Sequence, residues 1–215
     1  MPDPTQITSQ EAASRILSFL KDGRLVQGTW HRQDGARELA CMIGAIDPKI
    51  TGAEQCPAGV MPQWLAYVTV LLFDGQSKTD AMAWAERYAG LMSRWHVLEP
   101  DAWQRAEVRF KIACVRSAIA SAEPVCKAKD YWPKVAAAVQ QVCDALEGNG
   151  DLKAYAAADA AADAAAAAAR AAADAARAAA AAAAAYAAAY SSLAATLLDT
   201  IELEVLSAES LAELP

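Results

Sequence analysis

Apolar positions along residues 1–150 recur mostly at three- and four-residue intervals, the period of helices that bury one face. Thr8 and Glu11 stand three apart, as a capping box requires, and open a helix whose Ile16, Leu17 and Leu20 share a side. Asp22-Gly23 stops it. Residues 24–33 read as turn-like, with a few extended residues around Leu25–Trp30. A second helix is expected from about Ala36 to Ile46, ended by Asp47-Pro48. After a loop over 47–60, Pro62 stands as the first residue of a third helix, MPQWLAYVTVLLF, closed by Asp74-Gly75. It is apolar nearly all round, which predicts a central position. A fourth helix is expected from about Asp80 to Trp95 and a fifth from Pro100 to about Ala122. Asp130 caps a sixth, with Val135, Val139, Val142 and Leu146 on one face and Gly148-Asn149-Gly150 as its stop. No alternating strand pattern stands out. The expected fold is all-α: a bundle of about six helices over 1–150, then one very long alanine-rich helix within 151–215.

That last helix rests on composition. From residue 156 to 190, 28 of 35 residues are alanine, the strongest helix former. No Gly or Pro falls between Asp151 and the terminal Pro215. At 100° per residue, Asp159, Asp163, Arg170, Asp174 and Arg177 fall within roughly 60° of one another. Asp199 and Glu202 return to the same line, while Tyr186, Tyr190, Leu193, Leu197 and Ile201 take the opposite face. A phase kept across Ser191-Ser192 predicts one helix from about 151 to 204, about 80 Å long at ~1.5 Å per residue. Flanks of bare alanine permit close approach by a second helix, and burial favours pairing them with something. A homodimer through this helix is the expected arrangement.

Charge sharpens the picture. The net charge of −7 is uneven: residues 1–150 hold 16 bases and 17 acids, whereas 151–215 hold three bases and nine acids. After Arg177 come only Asp199, Glu202, Glu204, Glu209 and Glu213, although a helix C-terminus favours cations. A near-neutral body with an acidic tail lacks the basic footprint of a direct nucleic-acid binder. On the fifth helix, Arg105, Arg109 and Arg116 lie within roughly 40° of each other. They offer an ion-pair seat for the acidic tail, in cis or from a second protomer, or for an anionic partner. Five cysteines, odd in number and without CxxC spacing, and a start lacking signal-peptide character predict a cytoplasmic protein. The alanine run is too weakly apolar and too charged to span a membrane.

Motifs for phosphate binding, hydrolase nucleophiles or zinc are missing, so no cofactor or metal is expected. Cys56 before Pro57 is the one nucleophile candidate, its thiolate to be stabilised by a helix N-terminus, with His31 or His96 as base. Each histidine adjoins a tryptophan and reads first as a packing residue. A metal set of Cys41, Cys56 and His31 is weaker still.

The head segments GTWHRQDGARELACMIGAIDP and CPAGVMPQWLAYVTVLLFDG, with the tail AAADAARAAAAAAAAYAAAY, resemble uncharacterised alanine-rich proteins of phages and bacterial mobile elements. That resemblance implies a bacterial host cell and no catalytic residues. Read together, these features predict a non-enzymatic protein-binding module, in its most concrete form a phage-type inhibitor of a host defence system. Its acidic helix end would occupy a basic, nucleic-acid-binding surface of the target protein. The alternatives are a small thiol-dependent enzyme centred on Cys56 and an immunity or antitoxin protein.

Overall fold

The computed structural model describes residues 7–148 and 182–212. In chain order the elements are α1 (Ser9–Lys21), strands β1 (His31–Asp34) and β2 (Arg37–Ala40), α2 (Gln63–Gly75), α3 (Lys78–Met92), α4 (Pro100–Cys126), α5 (Trp132–Glu147) and α6 (Ala182–Ala212). Short 3-10 turns lie at Ala53–Gln55 and Trp95–Val97. The protein is mostly helical, in the all-α class. Among the described residues no helix is long and apolar enough to cross a membrane.

α1 starts where its cap dictates. The Glu11 backbone N–H donates to Thr8 Oγ1 at 3.2 Å, and the Thr8 N–H donates to Glu11 Oε2 at 2.9 Å. Two of the four donors that a helix start leaves over are thereby satisfied.

The second expected helix, Ala36 to Ile46, is overturned. Arg37–Ala40 is instead β2, antiparallel to β1, with Asp34 opposite Arg37 and His31 opposite Ala40. The two-residue turn opens on Gly35 at φ +61, the positive φ that a tight hairpin requires there. Leu25 bridges Ala40 from the other side, so the extended residues expected near Leu25 join the same hairpin. Helix propensity among such residues differs by only a few tenths of a kcal/mol each, and pairing overrides it. The described part of 1–150 therefore holds five α-helices rather than about six. Two boundaries also move. α4 continues through Pro124 to Cys126, and α5 begins without a side-chain cap, so Asp130 does not serve as one.

The chain forms two compact units: Met1–Glu107 with Ala185–Pro215, and Val108–Ala184. This division falls elsewhere than the composition shift at residue 150. In the first unit α1 packs on α3, and Ile16, Leu65, Phe73, Tyr88 and Met92 are fully buried with Leu197, Leu198 and Ile201 of α6. α2 is less central than its composition predicts, since Tyr67 is 52% and Leu71 58% exposed. In the second unit Ile112 of α4 packs with Val139 and Cys143 of α5, and Val108, Val115, Ile119 and Leu146 border them.

α6 runs unbroken through Ser191-Ser192. Its partners on α3 and the turn after it rise with its own numbering. Ser191 Oγ donates to Asp80 Oδ2 at 2.9 Å, and Trp84 Nε1 donates to the Ala194 carbonyl at 2.9 Å. Arg87 then meets Asp199 and Glu202, and Arg94 meets Glu209. The two helices are therefore parallel. At the start of this contact the Tyr190 ring lies so close over Gly75 that any Cβ there would collide with it. Of the long helix expected over 151–204, the stretch 151–181 lies outside the described residues, and so does the side chain of Tyr186.

Candidate functional site

The thiol candidate and its two histidines are not assembled. Cys56 ends the Ala53–Gln55 turn, almost fully buried, and desolvation pushes its thiol up to about 12. A catalytic cysteine needs the opposite shift. His31 Nδ1 faces Glu38 Oε1 at 3.1 Å, and its Nε2 donates to the Ile50 carbonyl at 2.8 Å. His96 Nδ1 pairs with Gln10 Nε2 at 2.8 Å. Both rings thus brace the fold: His31 ties the hairpin to the loop after it, and His96 ties the Trp95–Val97 turn to α1. Cys41 is buried too, taking the Gly44 N–H on its sulfur at 3.3 Å, with desolvation raising its pKa. Among the described residues no group of three His, Cys, Asp or Glu side chains could hold a metal.

The arginine seat for the acidic helix is present in cis, but its members differ from those expected. Arg105 donates through Nε and Nη2 to Glu204 Oε2, at 3.1 and 2.9 Å. Glu204 is 2% exposed, a buried carboxylate that this guanidinium helps to neutralise. Arg116 does not join it, pairing with Glu147 of α5 at 2.7 Å in the second unit. Arg109 also belongs to the second unit and is likewise engaged. The three arginines of α4 are therefore not one seat.

The rest of the seat comes from α3 and the turn that follows it. Arg87 Nη2 reaches Asp199 Oδ1 at 2.6 Å and Glu202 Oε2 at 2.8 Å. Arg94 grips Glu209 with two nitrogens, Nε on Oε1 at 2.9 Å and Nη2 on Oε2. Those hydrogen bonds hold the Glu209 carboxyl below its ordinary value and raise the Arg94 guanidinium further. Sequence reasoning passed over Arg87 and Arg94, yet their spacing carried a signal. They stand seven apart, Arg87 on α3 and Arg94 in the turn just after it, as Glu202 and Glu209 stand seven apart on α6, and parallel segments keep such a spacing in register. The excess of acids at the end of α6 thus has its counter-charge on neighbouring helices, which offsets the conflict with the helix dipole.

Beneath the ion pairs lies an aromatic column. Trp84, Tyr88, Trp95 and Trp103 follow one another with ring centroids 5.0, 5.2 and 5.1 Å apart. Tyr88 Oη and Thr69 Oγ1 lie 2.7 Å apart within the core. Such edge and tilted contacts add stability beyond area burial and give the face of α3 under α6 a fixed shape. This surface is a structural seat, its charges matched across the helices. Large apolar side chains stand exposed elsewhere: Leu203, Leu206 and Leu211 on α6, and Tyr67 and Leu71 on the outer side of α2 beside half-buried Trp64 and Val68. Comparison with protein families, with curated proteins and with solved structures returns no match.

Proposed function

We propose that the protein is a non-enzymatic binding module acting by protein–protein contact, and that the outer face of α2 is the part that meets its partner. One observation supports this: Trp64, Tyr67, Val68 and Leu71 recur at intervals of three, one and three on one side of α2, and Tyr67 and Leu71 are more than half exposed. Contiguous exposed apolar residues of this kind mark binding surfaces, and aromatic anchors supply most of the energy at such contacts. The acidic end of α6 is the weaker choice for a basic target surface, because its carboxylates already answer Arg87, Arg94 and Arg105. The resemblance to phage and mobile-element proteins makes an inhibitor of a host defence system the concrete form of the proposal. An immunity or antitoxin role uses the same surface. A homodimer through the alanine-rich segment is the proposed assembly.

The test compares wild type with Leu71→Glu and Leu211→Glu, both at exposed positions on different helices. A host protein retained by wild type and by Leu211→Glu but lost with Leu71→Glu supports the α2 surface. Equal capture by all three overturns it. Light scattering that returns a monomer at high protein concentration removes the homodimer.

A further inference from the structure

A cleft of about 160 Å³ opens between α1 and the turn that follows β2. Arg15, Ser18 and Phe19 of α1 form one side, Glu38 of β2 contributes a carboxylate, and the small residues Gly44 and Ala45 leave the remaining side low. At ~30 Å³ per water, the space equals about five waters. That suits a compact polar molecule.

The two charges in this cleft are oriented but not paired with each other. Arg15 gives Nη1 to the Ile46 carbonyl at 2.6 Å, which fixes the guanidinium against the turn. A guanidinium carries further donors in the same plane. Glu38 uses Oε1 for His31 Nδ1, and His31 is itself pinned by the Ile50 carbonyl. Among the described residues no ion pair joins Arg15 to Glu38, although both line the one cleft. A guanidinium and a carboxylate that line one cleft without pairing to each other suit a ligand with the opposite pair of charges: a carboxylate for the guanidinium, an ammonium for the carboxylate. Because each side chain is already anchored by another contact, less rotamer freedom is lost on binding.

The walls agree with this reading. Gly44 is dictated by packing, since a Cβ there would run into the Trp30 carbonyl and press on the His31 ring. Phe19 carries the Arg24 guanidinium 3.9 Å from its ring centroid and borders the cleft as an apolar wall. We propose that this cleft binds a small zwitterion, a free amino acid or a molecule of that size, between Arg15 and Glu38.

The experiment uses the full chain with a panel of free amino acids, read by ligand-observed NMR and calorimetry, with acetate and methylamine as single-charge fragments. The expected result is saturable binding of at least one amino acid with a Kd of about 1 mM or tighter. Both fragments should bind at least about tenfold more weakly, since each meets only one charged group. Glu38→Gln keeps an acceptor for His31 and should weaken the amino acid by about tenfold, as should Arg15→Lys, which loses the planar fork. The absence of saturation by every amino acid overturns the proposal. So does acetate binding as tightly as the best amino acid, or affinity unchanged in both variants.

Discussion

Arg105 of α4 reaches Glu204 of α6 through two nitrogens, across 99 positions of sequence, and the carboxylate it holds is the buried partner of the pair. The asymmetry decides what the contact is worth. Arg105 is about half exposed and keeps much of its hydration, whereas Glu204 has lost nearly all of its own. Removing the cation therefore costs more than removing the anion. Arg105→Met is expected to destabilise the protein by about 1–2 kcal/mol, below the ~3–5 for a fully buried pair. Glu204→Gln, which leaves no charge to strand, should cost less. Urea unfolding of both variants checks the order.

The Arg94–Glu209 pair gives a pH signature. Its hydrogen bonds hold Glu209 below the ordinary carboxylate value of 4.5 in the folded protein. A carboxyl depressed on folding stabilises above its unfolded pKa, and that contribution fades as pH falls through the folded value. The Glu209 carboxyl resonance should thus titrate below the ordinary carboxylate range in wild type and move upward in Arg94→Met. The variant should be less stable than wild type at about pH 6, and the gap should close in acid. A gap that widens on acidification would refute the assignment.

Burial separates the leucines of α6. Leu197 is fully buried, while Leu211 is largely exposed. Leu197→Ala should cost about 2–5 kcal/mol, because a cavity adds to the lost transfer energy. Leu211→Ala should stay within about 0.5 kcal/mol of wild type. Chemical denaturation of the two variants tests whether the C-terminal helix is part of the core or an appendage to it.

These contacts also explain which parts of the molecule were legible from sequence. α1, α3 and α4 announce themselves through caps, proline starts and apolar period, all of which are local. Helical phase places Leu197 and Ile201 on one face of α6, and both are buried. The hairpin is hard to read from sequence because β1 is polar throughout and β2 buries two successive residues, Leu39 and Ala40, so neither strand carries an apolar alternation. Asp34-Gly35 between two four-residue segments was the available cue. The arginine seat was read on α4 alone because helical angles relate residues within one helix. That α3 and α6 run in parallel is a tertiary fact, and without it the matching sevenfold spacings of Arg87–Arg94 and Glu202–Glu209 carry no meaning. The exposure of Tyr67 and Leu71 has the same origin. An apolar helix predicts burial, but which side lacks a neighbour depends on how many helices surround it.

Cys56 offers the sharpest chemical test. Burial pushes its thiol up to about 12, so at neutral pH the thiol form dominates. Alkylation requires that thiolate and access to it, and the folded protein restricts both. At neutral pH Cys56 should therefore react with iodoacetamide more slowly than Cys114, which is less buried and sits at about 11. Denaturant should remove the difference, because an unfolded thiol returns to its ordinary value near 8.5. The sign of the pH dependence follows: labelling of the folded protein should keep rising through alkaline pH instead of levelling near 8.5. Mass spectrometry of each cysteine peptide reads both trends. A Cys56 that labels first at neutral pH would restore the thiol-dependent enzyme as the better account of this protein.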